Sequence, residues 1–542
     1  MKSLLVAVLL AFPAFAADSR VAEAAATGDR DTALTLIKAK ADVNGAQGDG
    51  MTALHWAAMH DDLELARALL ANGANPQAVT RLGGVTPLLL AAKNGSAALV
   101  QALLQSGASV KQADQLGVTP LMMAAAGGSP EVVKALVAGG ADVNATESAH
   151  GQTALMFAAA YNRAGAVKAL LAAGGNAKAY TQTMDPGCGS TFNRNACEET
   201  EDVPNPVAPP KRDTAKDKVS APMPKNEEDE AAKKPKRRRG AAITGGMTPL
   251  LFAARDGQME AAKALVEGGA DVNDPGLGEK MTPLVIAIAN GHYDLAMYFL
   301  EHNADPNPAS DSGLTALYAA IDMQWAPYAW YPQPITAQEK TSYLDLMKAL
   351  VAKGANVNAR LGRRVWFRAL VGDSSWVDQA GATPFWRAAQ SNDLAAMKLL
   401  VANGADPEMA TTAGSTPLMV TAGVGWAMNF SRNAPNAWMD SVKFCLEHGN
   451  DVTAADARGY TALHGAAFRG DNELINFLMS KGAKIDAKTK AGDTVADMAN
   501  GPIPHSIPHP ETVALLEKLG SANSHNCRSD QCLIAPTSQP KQ

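Results

Sequence analysis

The chain has 542 residues, 47% of them apolar but only 5% aromatic, and carries a formal net charge of −6. That composition excludes a core lined by large aromatic rings, and without an overall basic field the bulk surface is not one that binds nucleic acid by counterion release. Past the first 20 residues no apolar run reaches 18 residues, so no membrane-spanning helix is expected.

In chain order the first element is a leader. Lys2 gives a positive start, Leu4 to Phe12 form an apolar stretch too short to span a bilayer, and Ala14 and Ala16 supply the small residues that a signal peptidase reads. Residues 1–16 are therefore expected to be a signal peptide, with export to the periplasm or the medium and a mature chain beginning near Ala17. Cysteine usage agrees with that compartment: Cys188 and Cys197 sit close together in a polar segment, and Cys527 and Cys532 do so in the C-terminal tail, which gives two candidate local disulfides. Cys445 stands where other units carry Leu, as in Leu69-Leu70 or Leu399-Leu400, and reads as a small core residue.

A Thr-Pro-Leu triplet or close variant then recurs at Thr52, Thr86, Thr119, Thr153, Thr248, Thr282, Thr315, Thr383, Thr416 and Thr461, on a base period of 33 residues broken by insertions. A degenerate unit precedes the series over Arg20 to Asn44, and another follows from Thr494. Each unit predicts two short helices. Thr is placed to cap exposed N–H groups, and Pro87, Pro120, Pro249, Pro283, Pro384 and Pro417 suit the first helical turn. Pairs such as Ala57-Ala58, Ala91-Ala92, Ala124-Ala125 and Ala388-Ala389 let neighbouring first helices pack at close range. Gly95, Gly165, Gly257, Gly291 and Gly470 are expected to end the first helix in the left-handed conformation. Apolar pairs such as Leu103-Leu104 and Leu170-Leu171 form the buried stripe of the second helix, which a further Gly stops.

After that Gly come Ala141-Asp142-Val143-Asn144, Ala270-Asp271-Val272-Asn273 and Ala355-Asn356-Val357-Asn358. These residues at these spacings resemble the ankyrin repeat over nearly all of Arg20 to Gly520 outside the insertions. The resemblance implies an all-α solenoid of antiparallel helix pairs with β-hairpin fingers along one edge. The His that follows Thr-Xaa-Leu in that pattern appears only as His55 and His464, which implies looser hydrogen bonding inside the other repeats. The organisation expected is a repeat array over 17–180, a charged linker disordered by composition over 181–245, a second array with aromatic insertions over 246–520, and a tail over 521–542.

Departures from the period carry the remaining signal. Residues 181–245 and 361–380 leave the fingers, whereas 323–342, 425–438 and about 500–510 interrupt the turn between the two helices, at the opposite edge. The linker ends in Lys233-Lys234-Pro235-Lys236-Arg237-Arg238-Arg239, a solvated charge block or an anion-binding patch. Seven of the eight tryptophans lie between Trp325 and Trp438. Trp325, Tyr328, Trp330, Tyr331, Trp366, Trp376, Trp426 and Trp438 are the candidate binding residues; the bland alternative is that they fold back as a satellite core. Trp386, within a first helix, reads as core or groove lining. No phosphate loop, His-Glu-Xaa-Xaa-His or Gly-Xaa-Ser-Xaa-Gly occurs, and His505, His509, His525, Cys527 and Cys532 fit no closed zinc set. The expectation is a monomeric, non-enzymatic scaffold that holds a protein partner and uses no cofactor or metal. A glycan or small-molecule site in the Trp-rich loops, an effector acting in a host cell and a subunit of an exported redox complex stand as alternatives.

Overall fold

The computed structural model describes residues 18–184, 244–327, 336–365, 376–427, 431–435, 437–502, 506–525 and 527–528. Within them the helices form twelve antiparallel pairs, one per repeat. The first five are α1 (Arg20–Ala26) with α2 (Arg30–Lys38), α3 (Ala53–Met59) with α4 (Leu63–Ala71), α5 (Pro87–Asn94) with α6 (Ala97–Gln105), α7 (Pro120–Gly127) with α8 (Pro130–Ala138), and α9 (Ala154–Ala160) with α10 (Ala164–Ala172). Next come α11 (Pro249–Arg255) with α12 (Met259–Glu267), α13 (Pro283–Ala289) with α14 (Tyr293–Glu301), α15 (Ala316–Gln324) with α16 (Tyr343–Ala352), and α17 (Pro384–Gln390) with α18 (Leu394–Ala402). The stack closes with α19 (Pro417–Ala422) and α20 (Trp438–Glu447), α21 (Ala462–Arg469) and α22 (Asn472–Ser480), and α23 (Val495–Ala499) and α24 (Pro510–Lys518).

Odd-numbered helices pack on odd ones and even on even, so the core is a continuous strip of small residues. Ala57, Ala58, Ala91, Ala92, Ala124, Ala125, Ala388 and Ala389 are all buried in it. Where Pro follows Thr, the Thr hydroxyl accepts the N–H three residues on, as from Thr86 to Leu89 and from Thr383 to Trp386. Gly95 ends α5 at a φ of 75°, as expected. Gly165 does not end α9: it lies inside α10, where a Cβ would come within 2.8 Å of the Pro130 ring, and Asn162 takes the left-handed turn at a φ of 56°. The short Asn side chain tolerates that conformation, so the Gly was free to serve close packing instead.

The capping position three residues after Thr explains how several repeats manage without His. At Thr52 the backbone N–H donates to Nδ1 of His55, whose Nε2 meets the Val85 carbonyl of the next repeat at 3.0 Å. In the repeats with Met, the thioether of Met122 or Met156 accepts the Thr N–H at 3.4 Å. Trp386 takes the other half of the role, donating Nε1–H to the Ser415 carbonyl at 2.9 Å. Ser415 precedes Thr416 as Val85 precedes Thr86, so the Trp ties its repeat to the next one just as His55 does.

Two ladders run along the stack. Asparagines at the repeat ends bridge neighbours: Asn44 donates to the Gly73 carbonyl and accepts from the Asn75 N–H, and the same pair of bonds recurs at Asn307 and Asn358. Finger tips are joined backbone to backbone, from Arg81 N–H to Asp49, Gln115 to Gly83, Ser148 to Leu116 and onwards to Lys490 and Arg458.

These ladders cross the charged linker. Strands β1 (Thr183–Met184) and β2 (Thr244–Gly245) pair antiparallel at its base, Gln182 donates to His150, and Leu277 donates to Gly246. Helices α9 and α10 pack directly on α11 and α12, Gln258 donates to the Ala160 carbonyl, and Lys168 pairs with Glu267 at 3.0 Å. The division drawn from sequence at 181–245 is therefore not a break in the stack. The linker leaves and re-enters through one finger, and repeats 5 and 6 are ordinary neighbours.

Candidate functional site

Three insertions surround repeat 9. The first, between α15 and α16, is fastened to the repeats on either side of its own. Asp294 at the start of α14 accepts from Thr341 N–H at 2.9 Å, Thr341 Oγ1 at 2.8 Å and Lys340 N–H at 3.1 Å, and its own N–H donates to Glu339 at 2.8 Å. Burial raises the Asp294 carboxyl, but those donors outweigh it and hold the group below the usual carboxylate range. On the other side buried Asp393 caps α18 at Ala396 N–H and accepts from Trp325 Nε1 at 2.7 Å and from the Tyr343 hydroxyl at 2.8 Å. Burial, reinforced by the Asp393 charge, pushes Tyr343 well above its ordinary value, so it remains a donor to that carboxylate.

The second insertion, between α19 and α20, is pinned to the end of α17. Ala434 N–H donates to the Ser391 carbonyl at 2.9 Å, and Asn433 donates to the Gln390 carbonyl at 3.2 Å. Trp426 meets Trp438 edge to face at 6.5 Å, and the Arg469 guanidinium lies over both rings. Burial pushes Arg469 down to about 9, against the opposing pull of Asp471. Gly423 makes the turn possible at a φ of 121°, with the Arg469 side chain where a Cβ would stand.

The third insertion leaves the finger after Asn358. Sequence placed it at the edge opposite the other two; the structure brings it to them. Leu361, Val365 and Val377 are buried, and Trp376 lies against Tyr460 at 4.6 Å and Phe468 at 5.2 Å while donating Nε1–H to the Trp426 carbonyl at 3.3 Å. The described end of this insertion thus lies against the first helix of repeat 11, at Phe468, a contact that an expectation built on the bare repeat had left open. Apolar side chains set among polar neighbours in 361–380 were the available signal.

Trp325, Trp376, Trp426 and Trp438 are thus all half-buried and engaged in internal contacts, and Trp386 is fully buried. Tyr328, Trp330, Tyr331 and Trp366 lie outside the described residues. Cys445 is a free, buried thiol pushed up to about 12 by burial. Cys527 is disulfide-bonded, and Cys188, Cys197 and Cys532 lie outside the described residues.

At the meeting of the insertions sequence reasoning missed a buried polar group. Arg387 occupies the position held by Leu90, Met123 and Phe157 in the regular repeats, and it is 4% exposed. Its Nε donates to Asp322 at 2.9 Å, one amino group to the Ser391 hydroxyl and the other to the Trp325 carbonyl at 2.9 Å. Next to it is a cavity of about 50 Å³ lined from all three insertions.

Comparison with known proteins places the chain among repeat proteins. A family model described as ankyrin repeats (3 copies) matches residues 21–114, 88–181, 232–310, 250–360 and 385–489. The chain is 40% identical over 91 residues to a glycerophosphocholine phosphodiesterase of Schizosaccharomyces pombe, which is 17% of this chain and 8% of that protein. It is 29% identical over 98 residues to an ankyrin repeat protein of variola virus, 18% of this chain and 16% of the relative. It is 38% identical over 66 residues to human ankyrin repeat domain-containing protein 39, 11% of this chain and 36% of the relative. The chain thus spans between 8% and 36% of the length of these relatives.

Proposed function

The chain belongs to the ankyrin-repeat family, and on that premise we propose that it is a non-enzymatic scaffold that holds a protein partner, acting after export in the periplasm or outside the cell. One observation carries the choice of surface: in the regular part of the stack the finger tips present Leu82 and Leu116, 77% and 59% exposed, in a row held by backbone hydrogen bonds. Exposed apolar side chains on a preordered edge suit a partner that buries them without an ordering cost. Among the described residues around repeat 9, Trp325, Trp376, Trp386, Trp426 and Trp438 are engaged in internal contacts, which supports the packing reading for them over a glycan platform. The leader supports export, and the same compartment supports local pairing of Cys188 with Cys197 and of Cys527 with Cys532.

Co-purification of the tagged full-length protein from the envelope fraction tests the scaffold reading. Leu82→Glu combined with Leu116→Glu should abolish recovery of the partner while leaving the melting temperature unchanged, because neither side chain is part of the core. Equal recovery by this variant would reject the finger edge as the binding surface. Sequencing the N-terminus of the recovered protein tests export: a start near Ala17 is expected, and an intact Met1 would sink it. Non-reducing peptide mapping that joined Cys188 to Cys527 would overturn the local pairing.

A further inference from the structure

We infer that the finger tips ahead of repeats 11 and 12 form a basic strip that docks an extended acidic segment of a partner protein. The tips are residues 456–460 and 488–493, and Arg528, from the segment after α24, reaches them by pairing with Asp493 at 3.2 Å. Among the described residues Arg458, Lys488 and Lys490 are exposed and form no ion pair. Neither carboxylate of the tips is left over for them. Asp493 is taken by Arg528, and buried Asp456 accepts the N–H groups of Arg458 and Tyr460 at 2.9 Å. Four cations thus stand against two carboxylates, on a chain whose net charge is −6.

The strip is ordered before any partner arrives. Lys490 N–H donates to the Arg458 carbonyl at 2.7 Å, and a Cβ on Gly459 would come within 2.8 Å of the Lys488 carbonyl, so the two tips touch. Thr489, between the two lysines, is turned into the core. The Arg458 guanidinium lies 5.3 Å over the Tyr460 ring, which rests on Trp376 at 4.6 Å. Burial raises the Tyr460 hydroxyl, and the charges of Arg458, Asp493, Asp456 and Arg528 all act on it, which gathers them round one ring. Guanidinium forks grip carboxylate oxygens in pairs, and the lysines add point charges. Neighbouring tips are about 10 Å apart, one packed layer, and an extended chain advances roughly 3.3 Å per residue, so a carboxylate at every third position meets successive tips. A nucleic acid or a bilayer spreads its charge over a broad face that the acidic bulk of the array would also meet, which favours a narrow acidic segment. The strip rests on the scaffold reading for its partner and lies apart from the tips at Leu82 and Leu116.

The test is fluorescence anisotropy of the full-length protein with a dye-labelled peptide carrying Glu at every third position, against the same peptide with Gln in those places, at low salt. The expected result is saturable binding of the Glu peptide, weakened by added sodium chloride, and none of the Gln peptide. Lys488→Glu combined with Lys490→Glu should weaken that binding by about tenfold, and Arg458→Gln by about threefold. Lys111→Glu combined with Lys134→Glu makes the same change of net charge at exposed sites in the regular part and should leave it unchanged. Leu82→Glu combined with Leu116→Glu should also leave it unchanged, so this strip and the surface proposed above stand or fail separately. Three results overturn the inference: no saturable binding of the Glu peptide, equal weakening by the two lysine double variants, or tighter binding of single-stranded DNA or phosphatidylglycerol vesicles through Lys488 and Lys490. Melting temperature checks folding, and if the Lys488 and Lys490 variant folds poorly, Arg458→Gln and the wild-type titrations still decide.

Discussion

Repeats 2 to 5 and repeats 8 to 10 share one helix-pair geometry and differ in what covers their first helices. In the regular part, Leu90, Met123 and Phe157 are half-buried on the open face. In repeat 9 the same position is Arg387, closed over by inserted chain and matched to Asp322, Ser391 and the Trp325 carbonyl. A solenoid keeps its repeat-to-repeat contacts while long loops grow from either end of the first helix, because those contacts are made by the small residues between helices and by the finger and Asn ladders. The covered face thereby trades an open groove for a polar cavity.

The largest expected effect breaks that difference at its centre. Arg387→Met takes the guanidinium away from buried Asp322, the Ser391 hydroxyl and the Trp325 carbonyl and should destabilise the protein by about 3 to 5 kcal/mol, read from urea midpoints by circular dichroism. Leu90→Ala, at the matching open position, should cost about 1 kcal/mol, since the side chain is already half in water. Similar losses for the two would mean that the insertions do not change the environment of this position.

Lowering the pH compares the two histidine-bearing repeats. Burial pushes His464 down to about 4 and lowers His55 as well, against backbone hydrogen bonds that act the other way. In the unfolded chain both take up protons near 6.5, so between that value and about 4 the unfolded state binds more protons. Stability is therefore fully present above 6.5 and falls as the pH drops through this window, by about 1.4 kcal/mol per pH unit for His464 and roughly 3 kcal/mol in all. His464→Met borrows the solution used at Met122 and Met156 and should flatten the slope of stability against pH. A slope unchanged in this variant would remove His464 as its source.

The repeat itself was legible to the residue: the Thr-Pro starts, the Ala pairs and the buried Cys445 all stand where the pattern places them, because each solves a packing or capping problem within one unit. Gly165 misled because a Gly near a helix boundary serves either a left-handed turn or a close approach, and only the neighbour, Pro130, separates the two. The site was less legible for a physical reason. Trp325 pairs with Asp393 across 68 residues and Trp376 with Trp426 across 50, and no local period encodes which loop end meets which. Arg387 gives no local signal, because a charge inside Phe-Trp-Arg-Ala-Ala carries no sign of the loops that bury it.

The next effect in size probes what the two regions hold in common. Ala124 and Ala388 are each fully buried between first helices, one in the open part and one beneath the insertions. Leu at either should overpack by about 1 to 3 kcal/mol, seen as a lowered urea midpoint. Equal losses would show that the stack is unaltered by its cover. A markedly larger loss at Ala388 would show that the insertions hold repeats 8 to 10 more tightly than the regular ones.

The smallest effect separates a Trp that packs from a Trp that links. Trp386 donates to the Ser415 carbonyl as His55 does to that of Val85, and each carbonyl also accepts a backbone N–H of its own finger, from Thr411 and from Thr80, both at 3.0 Å. Losing the ring donor therefore leaves neither carbonyl without a partner. Trp386→Phe keeps most of the buried ring and should cost about 1 kcal/mol, near the net worth of one hydrogen bond. The loss should be confined to the junction of repeats 9 and 10, visible as faster amide exchange at Ser415 and Thr416. Exchange unchanged at that junction, with the same loss of stability, would make Trp386 a packing residue alone and leave His55 without a counterpart in the covered half.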